Sequence, residues 1–162
     1  MEIIGATDIV DLPELSWYKV PVRVDSGAMT SSIHCAKVQL IKENGETTLC
    51  FYLDVKRGAP QQSFLVKEFK ETIIRNSSGK EEKRYVIKTS IILFGRKIRT
   101  EFTLANRRKM SYPILLGRKL LKNRFLVDVS KKDLSASRNK SNAGNDPIRR
   151  KSKQDFDAPP LS

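Results

Sequence analysis

Every apolar run in this chain is short, and the clearest of them alternates with a period of two. In KVPVRV, Val20, Val22 and Val24 point one way, while Lys19, Pro21 and Arg23 point the other. That period belongs to a half-buried strand. Similar segments recur near 2–11, 18–25, 32–41, 47–55, 63–69, 72–76, 83–94, 97–105, 113–116 and 125–129. Between them lie KENGE, RGAPQQ, NSSGK and FGRK, whose Gly, Pro, Asn and Ser supply turn chemistry. One short helix is predicted over 117–123 (GRKLLKN). Many short strands with one late helix predict an all-β, barrel-like domain.

At 162 residues the chain has room for one domain with a modest core. Its net charge of +13 attracts acidic partners: nucleic acid, acidic peptides or an anionic surface. From Lys131 onward, apolar residues thin out and Ser, Asn, Lys and Pro dominate. Residues 1–130 are therefore expected to form the domain, and 131–162 a disordered basic tail that small-peptide chemistry does not need. The opening MEIIGATDIV has neither a basic start nor a long apolar stretch, and the apolar runs IILF and ILL are too short to cross a bilayer. A cytoplasmic protein without a membrane segment is expected.

The strand ending at Val24 runs into Asp25, Ser26, Gly27 and Ala28. A carboxylate at a strand end, in a tight turn with a hydroxyl and a glycine, has a known chemical use. Two such carboxylates facing each other across a two-fold axis cannot both ionise, so they share a proton and titrate in two separated steps. The ionised member takes a proton from water, and the protonated member donates to the carbonyl under attack. Asp-Ser-Gly occurs once, so the second carboxylate would come from a second chain. A plain surface turn after a strand is the competing reading.

VRVDSGAMTSSI followed by ILLGRKLL resembles the retropepsin-like aspartic peptidases. The likeness is nearest to a bacterial and archaeal branch labelled an ATP-dependent zinc protease and associated with RimK-type ATP-grasp ligases. Five segments carry it in order: IGATDIVDLPEL, VPVRVDSGAMTSSIHC, RYVIKTSI, EFTLANRRKMSYPILLGRKLL and FLVDVS. The resemblance implies a closed β barrel, a homodimer and hydrolysis of peptide bonds by an activated water, with no cofactor. It implies that Asp25 is the catalytic aspartate, that Ser26 makes a hydroxyl bond across the axis, and that Gly27 and Ala28 complete the turn. Gly117 would open the late helix, with Leu115 and Leu116 beneath the aspartate turn. Viral members carry acids just after the Ala, where this chain has Met29 and Thr30, so its hold on substrate backbone differs. Lys119 stands where viral enzymes often have Asn or Asp, and the 92 residues from Asp25 to Gly117 exceed the viral spacing, leaving room for an enlarged flap or a selecting loop.

The zinc label meets few ligands. His34 and Cys35 are adjacent, so on a strand they point to opposite faces; Cys50 could join one of them and an acid complete a site, but a packed Cys35 and a hydrogen-bonded His34 are the expected reading. The same geometry disfavours Cys35 as a nucleophile with His34 as its base. The hairpin TIIRNSSGKEEKRYVI is a candidate flap over a bound peptide, with Arg75, Ser78, Gly79 and Arg84 as its distinctive members, or else an exposed hairpin with solvated charges. Arg107, Arg108 and Lys109 precede the ILLG strand and would favour an acidic substrate, such as the glutamate-rich tails that ATP-grasp ligases make. The alternatives are a catalytically silent peptide-binding module of the same fold, or nucleic-acid binding through the charge and IRRKSK. The second lacks a recognised motif, and aromatics are only 7% of the chain.

Overall fold

A computed structural model describes residues 1–56, 58–75, 78–106 and 111–138. The strands are β1 (Glu2–Ile4), β2 (Thr7–Leu12), β3 (Trp17–Val24), β4 (Ser31–His34), β5 (Lys37–Glu43), β6 (Glu46–Leu53), β7 (Gln62–Val66), β8 (Lys70–Arg75), β9 (Glu81–Leu93), β10 (Arg96–Ala105), β11 (Ile114–Leu116) and β12 (Phe125–Val127). A 3-10 turn, Pro13–Leu15, joins β2 to β3, and one helix, α1 (Arg118–Leu121), follows β11. A second helical turn spans 134–138.

Six strands close on themselves in the order β10, β4, β11, β3, β2, β9, with β9 pairing back to β10. The closure leaves no edge strand in the ring, although the long β9 outruns its pairing with β2. β8 adds to β9 outside the ring; β5, β6 and β7 form a separate sheet, and β1 pairs with β12 in parallel. The alternation read in β3 is real: Val20 and Val22 are buried and Pro21 and Arg23 exposed. Val20, Val22, Ile33, Ile91, Leu93, Phe102, Ile114 and Leu116 fill the barrel, and Leu49, Phe51 and Leu53 of β6 join the same core. The three-stranded sheet is thus packed on the barrel rather than free.

β11 sits between β3, to which it is parallel, and β4, to which it is antiparallel. The connection from β3 to β4 must therefore step over the end of β11. Val24 lies opposite Leu116, so the next residues, Asp25 and Gly117, leave the barrel side by side.

Two predicted strands are divided. The run near 2–11 breaks at Gly5, where a Cβ would lie 2.3 Å from the carbonyl oxygen of Lys131. The run near 32–41 breaks after His34, and its second half leaves the barrel for the β5–β7 sheet. The domain boundary expected at 130 also moves, because residues 131–138 pack on the body. The backbone N–H of Ala6 donates to Lys131 O (2.8 Å) and that of Asp133 to Thr7 O (2.8 Å). Ser135, 1% exposed, accepts the Phe94 N–H at Oγ (2.8 Å). The Asp8 carboxylate, also buried, accepts the N–H groups of Ser135 (2.9 Å) and Ala136 (3.1 Å) and so caps the 134–138 turn from another element. Burial pushes the Asp8 carboxyl above its usual range, and those N–H groups oppose the shift. The rest of the expected tail, 139–162, lies outside the described residues.

Candidate active site

The aspartate turn is held from below, backbone to backbone. The N–H of Asp25 donates to Leu116 O (2.9 Å), that of Arg118 to Ala28 O (2.8 Å) and that of Lys119 to Met29 O (2.9 Å). The Gly117 N–H donates to Ser31 Oγ (2.9 Å), and Ser31 is fully buried. A Cβ at Gly117 would stand 2.8 Å from the Thr30 carbonyl carbon and 3.0 Å from both Ala28 O and Ser31 N. Those are backbone atoms, so only glycine lets the two segments approach this closely. The Arg118 guanidinium then donates to Ser26 O (3.0 Å) and ties down the top of the turn.

Within the turn, the Gly27 N–H donates to Asp25 Oδ1 (3.0 Å), and the Ala28 N–H to Asp25 O (3.2 Å). The carboxylate is thereby oriented by its own turn. Asp25 is half-buried, Ser26 and Gly27 are exposed, and Met29 is 59% exposed. The carboxylate is fixed at its base and open above.

It opens into a cleft of about 500 Å³. Asp25, Gly27, Ala28, Met29 and Thr30 form its floor; Thr72, Ile73, Ile74 and Arg84 of the β8–β9 hairpin form the facing wall. The structure thus brings the aspartate turn and the predicted flap hairpin to one cavity. The flap residues divide. Arg84 lines the cleft, whereas Arg75 pairs with Glu81 across the hairpin (3.2 Å) away from the floor. Ser78 and Gly79 sit at the exposed tip. Arg107, with Arg108 and Lys109, lies outside the described residues.

Three cleft residues escaped the sequence reading as a group. Glu101, on β10, takes the ammonium of Lys119 (2.7 Å) and that of Lys70 (2.7 Å). These two hydrogen-bonded cations hold the Glu101 carboxyl down to about 2, against the opposing effect of its partial burial. The residues come from β8, β10 and α1, with 49 positions between Lys70 and Lys119, so no spacing rule could have linked them. Ser31 was missed for the same reason.

The cysteines and histidine do not build a metal centre. Cys35 is buried and donates its thiol to Lys37 O (3.1 Å); burial pushes that thiol upward in pKa, away from the nucleophilic thiolate. Among the described residues no three His, Cys, Asp or Glu side chains gather as a metal would need. Among the described residues, no set of side chains fits the zinc label.

Barrel, crossed strand ends and aspartate turn together define a retropepsin-like domain. The RimB-like family, described as retropepsin-like aspartic endopeptidase RimB, matches residues 3–138, and the chain belongs to it. The chain is also similar to proteins named "Probable alpha-L-glutamate ligase". One from Shewanella pealeana is 40% identical over 131 residues, covering 79% of this chain and 28% of that protein. One from Desulfotalea psychrophila is 36% identical over 129 residues, covering 78% and 28%. The chain therefore spans about 28% of the length of the curated relatives it matches. A crystal structure of a protein of unknown function from Legionella pneumophila shares the fold, with a TM-score of 0.67 and 23% identity over 83% of this chain and 98% of that one. Among the described residues, no helix is long and apolar enough to cross a membrane.

Proposed function

We propose that this protein is a cytoplasmic aspartic endopeptidase acting as a homodimer, with one Asp25 from each chain. The observation that carries the reading is a carboxylate fixed by its own turn and by the Gly117–Lys119 segment, yet open to a cleft walled by a hairpin. One carboxylate cannot be general base and general acid in the same step, and the other acid lining the cleft among the described residues, Glu101, is occupied by two lysines. The second member of the dyad is thus best supplied by a two-fold mate. Ser26, exposed beside Asp25, is available to bond across that axis. The reaction is attack on a peptide carbonyl by water activated between the carboxylates, without a covalent intermediate. Ala28, Met29 and Thr30 on the floor, and Arg84 on the wall, contact the substrate.

In the cleft Lys70 and Lys119 are held by Glu101, and Arg84 by Glu82 (3.0 Å), so it is the chain's net charge of +13 that favours acidic or glutamate-tailed peptides. The names of the relatives support a partnership with a glutamate ligase, whose product such a peptidase would trim.

The test is hydrolysis of oligoglutamate-tailed and neutral peptides by the native chain and by Asp25→Asn. We expect cleavage of the acidic peptide, weakening with salt, and none by the variant, which keeps its fold and its dimer. Hydrolysis that survives in Asp25→Asn removes the proposal. A well-folded dimer that binds the peptides but never cleaves them assigns the domain to peptide binding instead.

A further inference from the structure

Strand β9 has one edge that is only partly used. Its ladder with β8 stops at Val86, opposite Lys70, and β2 meets it at Ile92, opposite Asp11. Residues 87–91 lie between, with no strand on that side among the described residues. The Ser90 N–H points outward along this edge and is capped by the Glu14 carboxylate (3.1 Å). Backbone groups alternate sides along a strand, so Lys88 presents its N–H and C=O in the same direction. Nothing in the described fold pairs with them.

A second open edge borders the same space. β7 is the terminal strand of its sheet. Phe64, Leu65 and Val66 share a cavity of about 300 Å³ with Ile87, Lys88 and Thr89. The sequence of β7, QSFLV, carries no charge and no proline, and Leu65 is 65% exposed. Natural proteins usually guard a free strand edge with Lys, Pro or a cover. This one is left open.

The space is continuous with the Asp25 cleft. A small intervening cavity of about 170 Å³ shares Lys88 and Arg99 with the β7–β9 slot, and shares Lys70, Val86 and Glu101 with the cleft. From Val86 to Thr89 is three residues of strand, roughly 10 Å.

We propose that the slot between β7 and residues 87–89 of β9 is an exosite for extended polypeptide: the stretch of a protein substrate a few residues from its scissile bond adds as a strand to the unpaired edges. This rests on the peptidase reading of the cleft, since the bound chain is the one that continues to Asp25. Backbone pairing supplies affinity with little demand on side chains, so the slot selects long unfolded polypeptide over short peptides.

The test uses the full chain carrying Asp25→Asn, which cannot consume its ligand, and reduced, carboxymethylated lactalbumin as an acidic unfolded polypeptide. Amide hydrogen exchange is measured with and without it. The expected result is slower exchange at 62–66 and at Lys88 together with 27–30. Lys88→Pro removes the outward N–H without touching the β9–β10 ladder, and Leu65→Lys places an edge-guarding charge on an exposed position. Each should weaken lactalbumin binding about five- to tenfold, leaving binding of the same protein digested to short fragments unchanged. Protection confined to 27–30 and the β8–β9 hairpin overturns the exosite and leaves the peptidase reading standing. Protection at 62–66 that appears without lactalbumin and grows with protein concentration gives the edge to a second copy and overturns the inference. No protection anywhere also overturns it; hydrolysis of lactalbumin by the native chain then judges the cleft separately.

Discussion

Ending the chain after Ser130 should cripple it, whereas ending it after Arg138 should not. The difference between those two truncations isolates residues 131–138. Their loss strips the Ser135 and Ala136 N–H groups from Asp8, which keeps only that of Ile9, and strips Ser135 Oγ from the buried Phe94 N–H. A buried polar group left without its partner costs about 1–3 kcal/mol. The backbone bonds to Ala6 and Thr7 and the packing of Leu134 on the core add to this, while water entering the opened site offsets part. The deficit comes to roughly 3–6 kcal/mol against the 5–15 of an ordinary domain, or about 10–20 °C in Tm. Ala6 O also accepts the N–H of Val24, one residue before Asp25, so the damage reaches the site. Asp8 adds a pH signature. Its carboxyl is raised in the fold, so its ionisation subtracts stability as pH climbs from the ordinary carboxylate value through the folded one. The truncation removes the two donors that oppose the shift but also Asp133 and the cover that cause it, so this pH slope belongs to the chain ending at Arg138, whose stability should rise in mildly acidic buffer. Thermal melts of the two truncations against pH make the comparison. Equal Tm values would refute the packed role of 131–138 and restore the boundary expected at 130.

Other perturbations read the site directly. Gly117→Ala forces a Cβ into the backbone of Ala28, Thr30 and Ser31; we expect about 1–3 kcal/mol of destabilisation and a lower kcat in the part that still folds, measured by melts and peptide turnover. Ser31→Ala leaves the buried Gly117 N–H without its acceptor, at about 1–3 kcal/mol, and Ser31→Thr, which keeps the oxygen, should recover part of the loss. Glu101→Gln gives up a carboxyl held at about 2. A depressed carboxyl contributes stability above its ordinary value near 4.5, and that contribution fades as pH falls toward 2. Because Lys70 and Lys119 are 61% and 43% exposed, the difference at neutral pH should be only about 0.5–1 kcal/mol, and melts should show it vanishing in strong acid.

Strand identity was legible because the barrel wall is one-sided: Val20 and Val22 face the core while Pro21 and Arg23 face water, and only period two does that. Strand breaks were not. Gly5 and Cys35 sit inside runs that alternate well enough locally. The break at Gly5 is imposed by Lys131, 126 positions away, and propensity carries no trace of so distant a neighbour. The 131–138 segment was misjudged for a related reason. It buries little apolar surface, and its hold on the body comes from backbone bonds and from Asp8, an acid whose burial cannot be seen before the fold is known.

The site divides along the same line. Asp25, Ser26, Gly27 and Ala28 are contiguous, so their chemistry can be read from a tetrapeptide. What makes the turn a device rather than a surface bend is not contiguous: Gly117 beneath it, Ser31 taking the glycine's N–H, Arg118 holding Ser26 O. That support follows from topology. Once β11 is seated between β3 and β4, the ends of two strands must emerge together, and a residue without a side chain is required where they meet. Lys119 belongs to both sets. Its backbone N–H holds Met29 O, while its ammonium reaches Glu101 in the cleft. The lysine that departs from the viral pattern therefore couples the frame under Asp25 to the charge of the cleft wall, and substituting it would move both at once.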